Sequence, residues 1–226
     1  MKALLKKARF LFGKASFFLH RRIIYKYIWK KYMISESSLK GRSCKRNNDE
    51  FVKTVDKSHP RHFSYENEMA ITRSLEKQVF CPNFIRYKET ETTSHFYYRF
   101  HDYCSIADVM KHQIRMSLSQ YKSLESLLYS TLAALATARI IHRDINPSNI
   151  LVSDNFDVVM LLDYQWAVIS GREISTSNAS DESELDKCLL ALNKKYRGPN
   201  METFDFENDE FSVQKILSEL SGQVEK

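Results

Sequence analysis

The sequence predicts an α+β fold, in which strands and helices occupy separate stretches of one chain. Three segments carry this prediction. The run FVKTV, residues 51–55, is apolar and β-branched, as is typical of a strand. Residues 64–77 repeat apolar side chains at helical spacing, and residues 139–168 alternate apolar runs with polar turns, which indicates short strands joined by loops.

Length and composition fit one compact unit. The 226 residues suffice for a single large core or two small lobes, and 43% hydrophobic with 27% charged residues is typical of a folded globular chain. Four cysteines lie far apart without a CxxC pair: Cys44, Cys81, Cys104 and Cys188. This pattern predicts neither a zinc site nor a disulfide framework and favours a reducing compartment.

The first element is a basic segment that we expect to be an amphipathic helix. Residues 1–35 contain ten Lys or Arg and no acidic residue, so the remainder has 34 − 10 = 24 basic against 28 acidic residues. The formal net charge of +6 is therefore +10 on this segment and about −4 on the rest. Aromatic and aliphatic residues stand between the charges, and every window of 18 residues contains charge. This pattern predicts a helix that lies on an anionic membrane surface rather than crossing it.

Other interpretations of the basic segment are that it packs across the body with its charges in water, or that it is a nucleic-acid-binding arm or an organelle presequence. We expect the basic segment to bind a membrane surface, because each basic residue near an anionic bilayer contributes about 1 kcal/mol, which suffices for reversible attachment. We expect no nucleic-acid partner. The predicted location is cytoplasmic and peripheral, on the inner face of the membrane.

The next stretch, SESSLKGRSCKRNNDE, is polar and contains turn-forming residues, which predicts a linker at residues 35–50. The segment CPN at residues 81–83 ends the helix that follows the first strand. The elements predicted in order are a strand at 51–55, a helix at 64–77, strands at 84–88 and 95–103, and two helices within 106–139.

The strongest signal is IIHRDINPSNILV, residues 140–152, followed by LLDYQWA, residues 161–167. The order HRD-x-x-x-x-N, apolar strand and Asp resembles the catalytic and metal-binding loops of the protein-kinase-like superfamily. The resemblance implies a two-lobed fold with a reduced N-lobe at residues 36–104 and a shortened C-lobe at residues 105–226. It also implies an ATP-dependent kinase that uses Mg²⁺.

The resemblance assigns a role to each motif residue. Asp144 would orient the acceptor hydroxyl and take its proton, while Asn149 and Asp163 would hold Mg²⁺ against the phosphates. Oxygen ligands suit that hard cation. For His142 and Arg143 a scaffold role is at least as expected as direct participation.

Upstream residues extend the resemblance. Lys53 occupies the place of the phosphate-binding strand lysine, and Glu68 lies in the helix that should supply its ion-pair partner, although Glu66 is a competitor. Glu68 is favoured because Ile71 and Leu75 follow it at three and seven residues. The segment CPNFIRY, residues 81–87, resembles the kinase HPN segment. Residues 100–110 resemble the hinge and following helix, where the backbone of Asp102, Tyr103 and Cys104 would contact adenine.

Several departures stand beside these matches. A G-x-G-x-x-G loop before Lys53 is absent, since Gly41 is the only glycine between residues 14 and 52. Asp163 begins DYQ rather than DFG, Asn146 stands where protein kinases have a lysine, and no APE-like segment follows. About 60 residues come after Asp163, which we expect to be too few for the usual protein-substrate lobe.

Among small-molecule kinases the chain most resembles the bacterial lipopolysaccharide core kinase family. The matching features are a Gly-Arg pair ahead of the strand lysine in residues 39–53, a DFG substitute of the D-x-H-R-A type comparable to DYQWA, and a helical tail like ESELDKCLLALN at residues 182–193. The resemblance implies phosphate transfer from ATP to a sugar hydroxyl of a membrane glycolipid. A protein Ser/Thr kinase, or a catalytically weak pseudokinase that serves as a scaffold, are the alternatives.

Overall fold

The computed structural model describes residues 42–47, 49–170, 195–196 and 205–225. The predicted basic helix at residues 1–35, Gly41 and the predicted helical tail at residues 182–193 lie outside these described residues. No helix within the described ranges is long and apolar enough to cross a membrane.

The described part of the chain contains nine strands and four α-helices. In order these are β1 Arg42–Asn47, β2 Glu50–Asp56, α1 His62–Ser74, β3 Phe84–Glu89, β4 Thr93–Arg99, β5 Cys104–Ser105, α2 Ile106–Lys111, α3 Leu118–Thr137, β6 Ile140–Ile141, β7 Ile150–Val152, β8 Val159–Leu161, β9 Val168–Ile169 and α4 Phe206–Leu220. Short 3₁₀ turns lie between β8 and β9 at Tyr164–Trp166 and after α4 at Ser221–Gln223. This mixture confirms the α+β, two-lobed prediction.

The first lobe is a four-stranded antiparallel sheet covered by α1. The strand order is β1-β2-β4-β3. Alternate residues of β4, namely Ser94, Phe96 and Tyr98, are buried, as expected of a strand with one face toward a core. Tyr65 of α1 packs on Phe96 with ring centroids 5.8 Å apart. The sheet and helix thereby share one small core.

The linker prediction is wrong over residues 42–47, which form β1. This strand pairs antiparallel with β2, with Cys44 opposite Lys53. An edge strand in an antiparallel sheet needs backbone partners on one side only, so its polar sequence carries little strand signal. The strand predicted at 95–103 ends earlier, at Arg99, and the chain then crosses to the second lobe.

The second lobe is centred on α3. Ser117 and Gln120 form a reciprocal capping box at its start, which satisfies two N-terminal backbone groups. Leu124, Leu128, Thr131 and Leu135 form a buried stripe at helical spacing, and α4 also contributes to this core. The two predicted helices within 106–139 are therefore α2 and α3.

Short strands place the polar loops of this lobe. β7 pairs antiparallel with β8 and with β5, while β6 pairs with β9. The ladder of β7 and β8 continues beyond its last strand pair, because the N–H of Leu162 donates to the carbonyl of Asn149 at 2.7 Å. The ends of these two strands therefore bring the residues after Arg143 and the residues around Asp163 to one edge.

Candidate active site

Lys53 and Glu68 form an ion pair between β2 and α1. Lys53 shares the inner face of β2 with Phe51 and Val55, because side chains two residues apart point the same way. Lys53 Nζ lies 2.8 and 2.7 Å from the two carboxylate oxygens of Glu68. The side chains are 13% and 2% exposed. Glu66, the competitor, instead faces His62 at 3.7 Å on the exposed side of α1.

Asp163 joins this pair from the second lobe. Its Oδ1 accepts a hydrogen bond from Lys53 Nζ at 3.1 Å, and its side chain is 34% exposed. The backbone of Asp163 has φ 66° and ψ 62°, a left-handed conformation that is uncommon for a residue with a side chain. The structure thus brings together three residues that lie 15 and 110 positions apart in sequence.

The two carboxylates determine the charge state of Lys53. Burial lowers the pKa of Lys53, but the charges of Asp163 and Glu68 raise it well above its ordinary value. Burial raises the pKa of Glu68, and Lys53 opposes this. We take the Lys53–Glu68 pair as ionic, because two oxygens of Glu68 contact an ammonium group that is protonated throughout the neutral range.

The loop after β6 surrounds Asp144 with amide donors. Asn146 Nδ2 donates to Asp144 Oδ1 at 3.0 Å, and Asn149 Nδ2 donates to Asp144 Oδ2 at 2.9 Å. Both amides also donate to the backbone carbonyl of Asp144. Asn146 therefore orients the Asp144 carboxylate.

The pKa of Asp144 is raised to about 7. Burial is the largest cause and the charge of Asp163 adds to it, while the amides of Asn146 and Asn149 favour the ionised form. A carboxylate with a pKa near the operating pH is suited to accept and release a proton.

His142 is a neutral scaffold residue. Burial lowers its pKa to about 4. Its Nε2 contacts the carbonyl of Leu162 at 3.0 Å, while its Nδ1 faces the N–H of Asp144 at 3.3 Å, so Nε2 carries the proton and Nδ1 accepts. The imidazole ring also packs edge-on against Tyr164 at 4.7 Å. His142 thereby connects the Asp144 loop with the segment that carries Asp163.

Asp209 of α4 binds the backbone of the loop that carries Asp144. This residue was not identified from the sequence. Its Oδ2 and Oδ1 accept hydrogen bonds from the backbone N–H groups of His142 at 2.6 Å and Arg143 at 2.9 Å. Burial raises the pKa of Asp209 to about 7, against these two donors. A signal existed, since Asp209 lies four and seven residues before Val213 and Ile216 and so interrupts an apolar helical stripe.

The connection between the lobes leaves backbone groups open. No described residue forms a backbone hydrogen bond with His101, Asp102 or Tyr103. Cys104 is instead buried and pairs with Val152 in the β5–β7 ladder. The backbone groups of His101, Asp102 and Tyr103 are therefore open to a ligand, and two of these three residues were predicted to contact adenine. Cys104, the third predicted residue, pairs with β7 instead. Adenine contact at these residues stays a prediction.

The oxygen donors near Asp163 fit Mg²⁺. Asn149 uses its Nδ2 on Asp144, which leaves Oδ1 as its acceptor, and Asp163 supplies a partly exposed carboxylate. No cluster of three His, Cys, Asp or Glu side chains that could hold a metal occurs among the described residues. Two oxygen ligands completed by phosphate and water match the usual coordination of Mg²⁺. Asn149 and Asp163 would therefore hold the ion together with ATP.

A comparison with protein-family models matches residues 37–200 to the protein kinase domain. This range spans 200 − 37 + 1 = 164 of the 226 residues. It contains all the residues predicted for the site, namely Lys53, Glu68, Asp102, Tyr103, Cys104, Asp144, Asn149 and Asp163. The match supports an ATP-dependent phosphotransferase in general terms. Because it covers well over half of the sequence and coincides with the two-lobed fold, the chain belongs to the protein kinase domain family.

Proposed function

We propose that this protein transfers the terminal phosphate of ATP to a hydroxyl group on the sugar portion of a membrane glycolipid, of the lipopolysaccharide core type. The observation that carries the phosphotransfer part is the assembled contact of Lys53 with both Glu68 and Asp163. A strand lysine held by two carboxylates, beside an Asp with two amide donors, is what positioning of phosphates and an acceptor requires.

In this proposal each group of the chain has a separate task. Asp144 takes the proton of the acceptor hydroxyl as that oxygen forms its bond to phosphorus, and ADP leaves with the electron pair of the broken bond. Lys53 donates to phosphate oxygens while Glu68 keeps its ammonium in place. Asn149 and Asp163 would hold Mg²⁺, which would neutralise phosphate charge. Asn146 keeps the Asp144 carboxylate aimed.

Three features support a sugar acceptor over a protein. Asn146, which stands where protein kinases have a lysine, donates its uncharged amide to Asp144. The segment DYQWA and the Gly-Arg pair before Lys53 resemble the lipopolysaccharide kinases. The basic segment at residues 1–35 suits a substrate presented at an anionic membrane.

The test offers the full-length protein labelled ATP, Mg²⁺ and either glycolipid extracts or a library of Ser/Thr peptides. We expect label in the sugar fraction, at a rate at least about a hundredfold above that of Asp144→Asn, since a positioned base contributes about 10²–10⁴-fold. Asp154→Asn, an exposed Asp of the same lobe, is the matched control and should retain wild-type transfer. Label in neither fraction, with the protein folded, would exclude both kinase proposals.

A protein kinase is the second candidate, because the matching family model is described as a protein kinase domain. The same experiment separates the two: transfer to peptides with none to the glycolipid fraction would replace the sugar proposal. A pseudokinase would bind ATP, as a rise in Tm with nucleotide, yet transfer phosphate to neither acceptor class.

A further inference from the structure

Helix α1 is fastened to the segment after Asp163 by side chains that no family motif explains. Asn67 Nδ2 donates to the carbonyl oxygen of Gln165 at 3.1 Å and to that of Ala167 at 2.8 Å. Ser64, one turn earlier on α1, directs its hydroxyl to Gln165 Oε1 at 3.3 Å. These contacts join residues that lie about a hundred positions apart in sequence.

The carbonyls that Asn67 reaches need an external partner. The 3₁₀ turn Tyr164–Trp166 is a single turn, closed by the Ala167 N–H on the Tyr164 carbonyl at 3.1 Å. The later carbonyls of so short a helix have no partner within it. Gln165 and Ala167 are buried, so an unpaired carbonyl there would be costly. The two hydrogens of one amide satisfy both carbonyls at once.

These contacts form a closed network of side chains around the proposed phosphate site. Asn67 precedes Glu68, Glu68 pairs with Lys53, and Lys53 pairs with Asp163, which leads directly into the turn that Asn67 binds. Asp163 has a positive φ of 66°, a conformation that persists only when its surroundings hold it. Without Asn67, the remaining contacts on this side of the network are those of Ser64 with Gln165, of Glu68 with Gln165 and of Arg61 with the Trp166 ring, together with packing.

We propose that Asn67 is a positioning residue that latches α1 onto the Asp163 segment, so that Lys53 meets Glu68 and Asp163 together. The catalytic consequence rests on the proposed phosphotransfer function, whereas the latch is a property of the fold. The competing explanation is that α1 stays in place through its buried apolar residues Tyr65 and Ile71, with Asn67 contributing only general stability.

The first experiment measures the latch without any activity. Hydrogen exchange by mass spectrometry compares full-length wild type with Asn67→Ala and with Asn67→Asp, which keeps the shape but replaces the donor with an acceptor. We expect exchange to rise about tenfold in residues 62–74 and 163–169 together, as loss of one to two hydrogen bonds implies, while α3 stays unchanged. Glu66→Gln, the exposed neighbour on α1, is the matched control and should leave both segments unchanged.

Two results would overturn the latch: exchange that rises in only one of the two segments or in neither, and exchange that rises equally in α3. The first would mean that Asn67 does not couple the segments. The second would mean that it supports stability in general.

The second experiment is a double-mutant cycle with Glu68→Gln, with transfer to whichever acceptor the wild type accepts. Asn67→Ala should lower kcat about tenfold in the wild-type background, with little change in the KM for the acceptor, and less than about threefold in the Glu68→Gln background. Equal losses in both backgrounds would show that Asn67 does not act through the Lys53–Glu68 pair. If the wild type transfers no phosphate, the proposed function is wrong. The role of Asn67 in joining α1 to the Asp163 segment is still tested, because hydrogen exchange measures it without any activity.

Discussion

At the scale of single residues, Asp144 is the group whose surroundings most constrain its chemistry. Its carboxylate is buried near Asp163, yet both oxygens accept from amides. Burial and amide donors act in opposite directions on its pKa, and burial prevails. The proposed base therefore titrates in the neutral range rather than in the acidic range.

This environment predicts the pH dependence of transfer. Because the pKa of Asp144 is raised to about 7 and only its ionised form accepts a proton, kcat should rise with pH through about 7 and fall about tenfold per pH unit below it. The measurement is a pH profile of kcat between pH 5 and pH 9, with unfolding monitored by circular dichroism. A flat profile across pH 6 to 8 in folded protein would contradict the assignment of Asp144 as base.

The Lys53–Glu68 pair makes a second residue-scale prediction. Glu68→Gln keeps the shape of the side chain but removes its charge, so Lys53 should lose one of the two carboxylates that hold it, and kcat/KM for ATP should fall at least about tenfold. Lys53→Ala should lower the free energy of unfolding by about 3–5 kcal/mol relative to wild type, because it leaves the carboxylate of Glu68 buried without its lysine partner.

Glu66→Gln provides the control for this pair, since Glu66 is exposed and faces His62. Steady-state kinetics and thermal denaturation distinguish the two acids. A loss in Glu66→Gln as large as that in Glu68→Gln would show that the pair does not govern ATP use.

At the scale of elements, α4 supports the catalytic loop through one side chain. Asp205 caps its start by accepting from the N–H groups of Glu207 and Asn208. The buried stripe of Val213, Ile216 and Leu217 then holds the helix against the core that α3 shares. The helix is thereby fixed well enough for Asp209 to align the backbone of His142 and Arg143.

Asp209→Asn should therefore weaken both fold and activity. An amide offers one acceptor oxygen in place of two, so one buried N–H of the loop loses its partner, at about 1–3 kcal/mol. We expect a lower urea midpoint with unchanged m-value, and a reduced kcat with little change in nucleotide-induced stabilisation. Glu210→Gln, on the exposed side of α4, is the control. An unaltered midpoint for Asp209→Asn would contradict this role of α4.

At the scale of the whole molecule, charge is divided between two parts of the chain. Residues 1–35 hold ten basic residues and no acid, and the rest has a net charge of about −4. All the residues proposed for chemistry lie at or after Lys53. Membrane attachment and phosphate transfer should therefore be separable.

Deletion of residues 1–35 should release the protein from anionic vesicles yet preserve transfer to a soluble sugar fragment. The apolar residues and ten positive charges supply burial and electrostatic attraction, which the catalytic groups do not need. Co-sedimentation with anionic and with neutral vesicles, at low and high salt, measures attachment. Salt should weaken binding of the full chain without abolishing it, because burial is not screened.

The control is a full-length variant in which the ten basic residues of residues 1–35 are changed to Gln, since it keeps the apolar residues of this segment and loses only its charge. Vesicle binding that survives the deletion would refute the membrane role of this segment. A deleted chain that cannot fold would instead show that the segment packs on the body.

The sequence by itself determined the mixed α+β class and predicted Lys53, Glu68, Asp144, Asn149 and Asp163 as the centre of the candidate site. HRD-x-x-x-x-N and the following Asp lie close together in the chain, so their order is visible without a structure. The apolar periods of α1 and α3 likewise follow from local spacing. Such patterns depend only on residues that are close together in the sequence, so they can be recognised without a structure.

Only the tertiary structure decided which distant groups meet. β1 exists because β2 offers it backbone partners. Asp209 supports a loop 66 positions away, and Asn67 reaches the segment after Asp163 nearly a hundred positions on. None of these polar residues has a local signature of its partner. Their hydrogen bonds form because burial removes the competing water, so that buried polar groups must find partners within the protein.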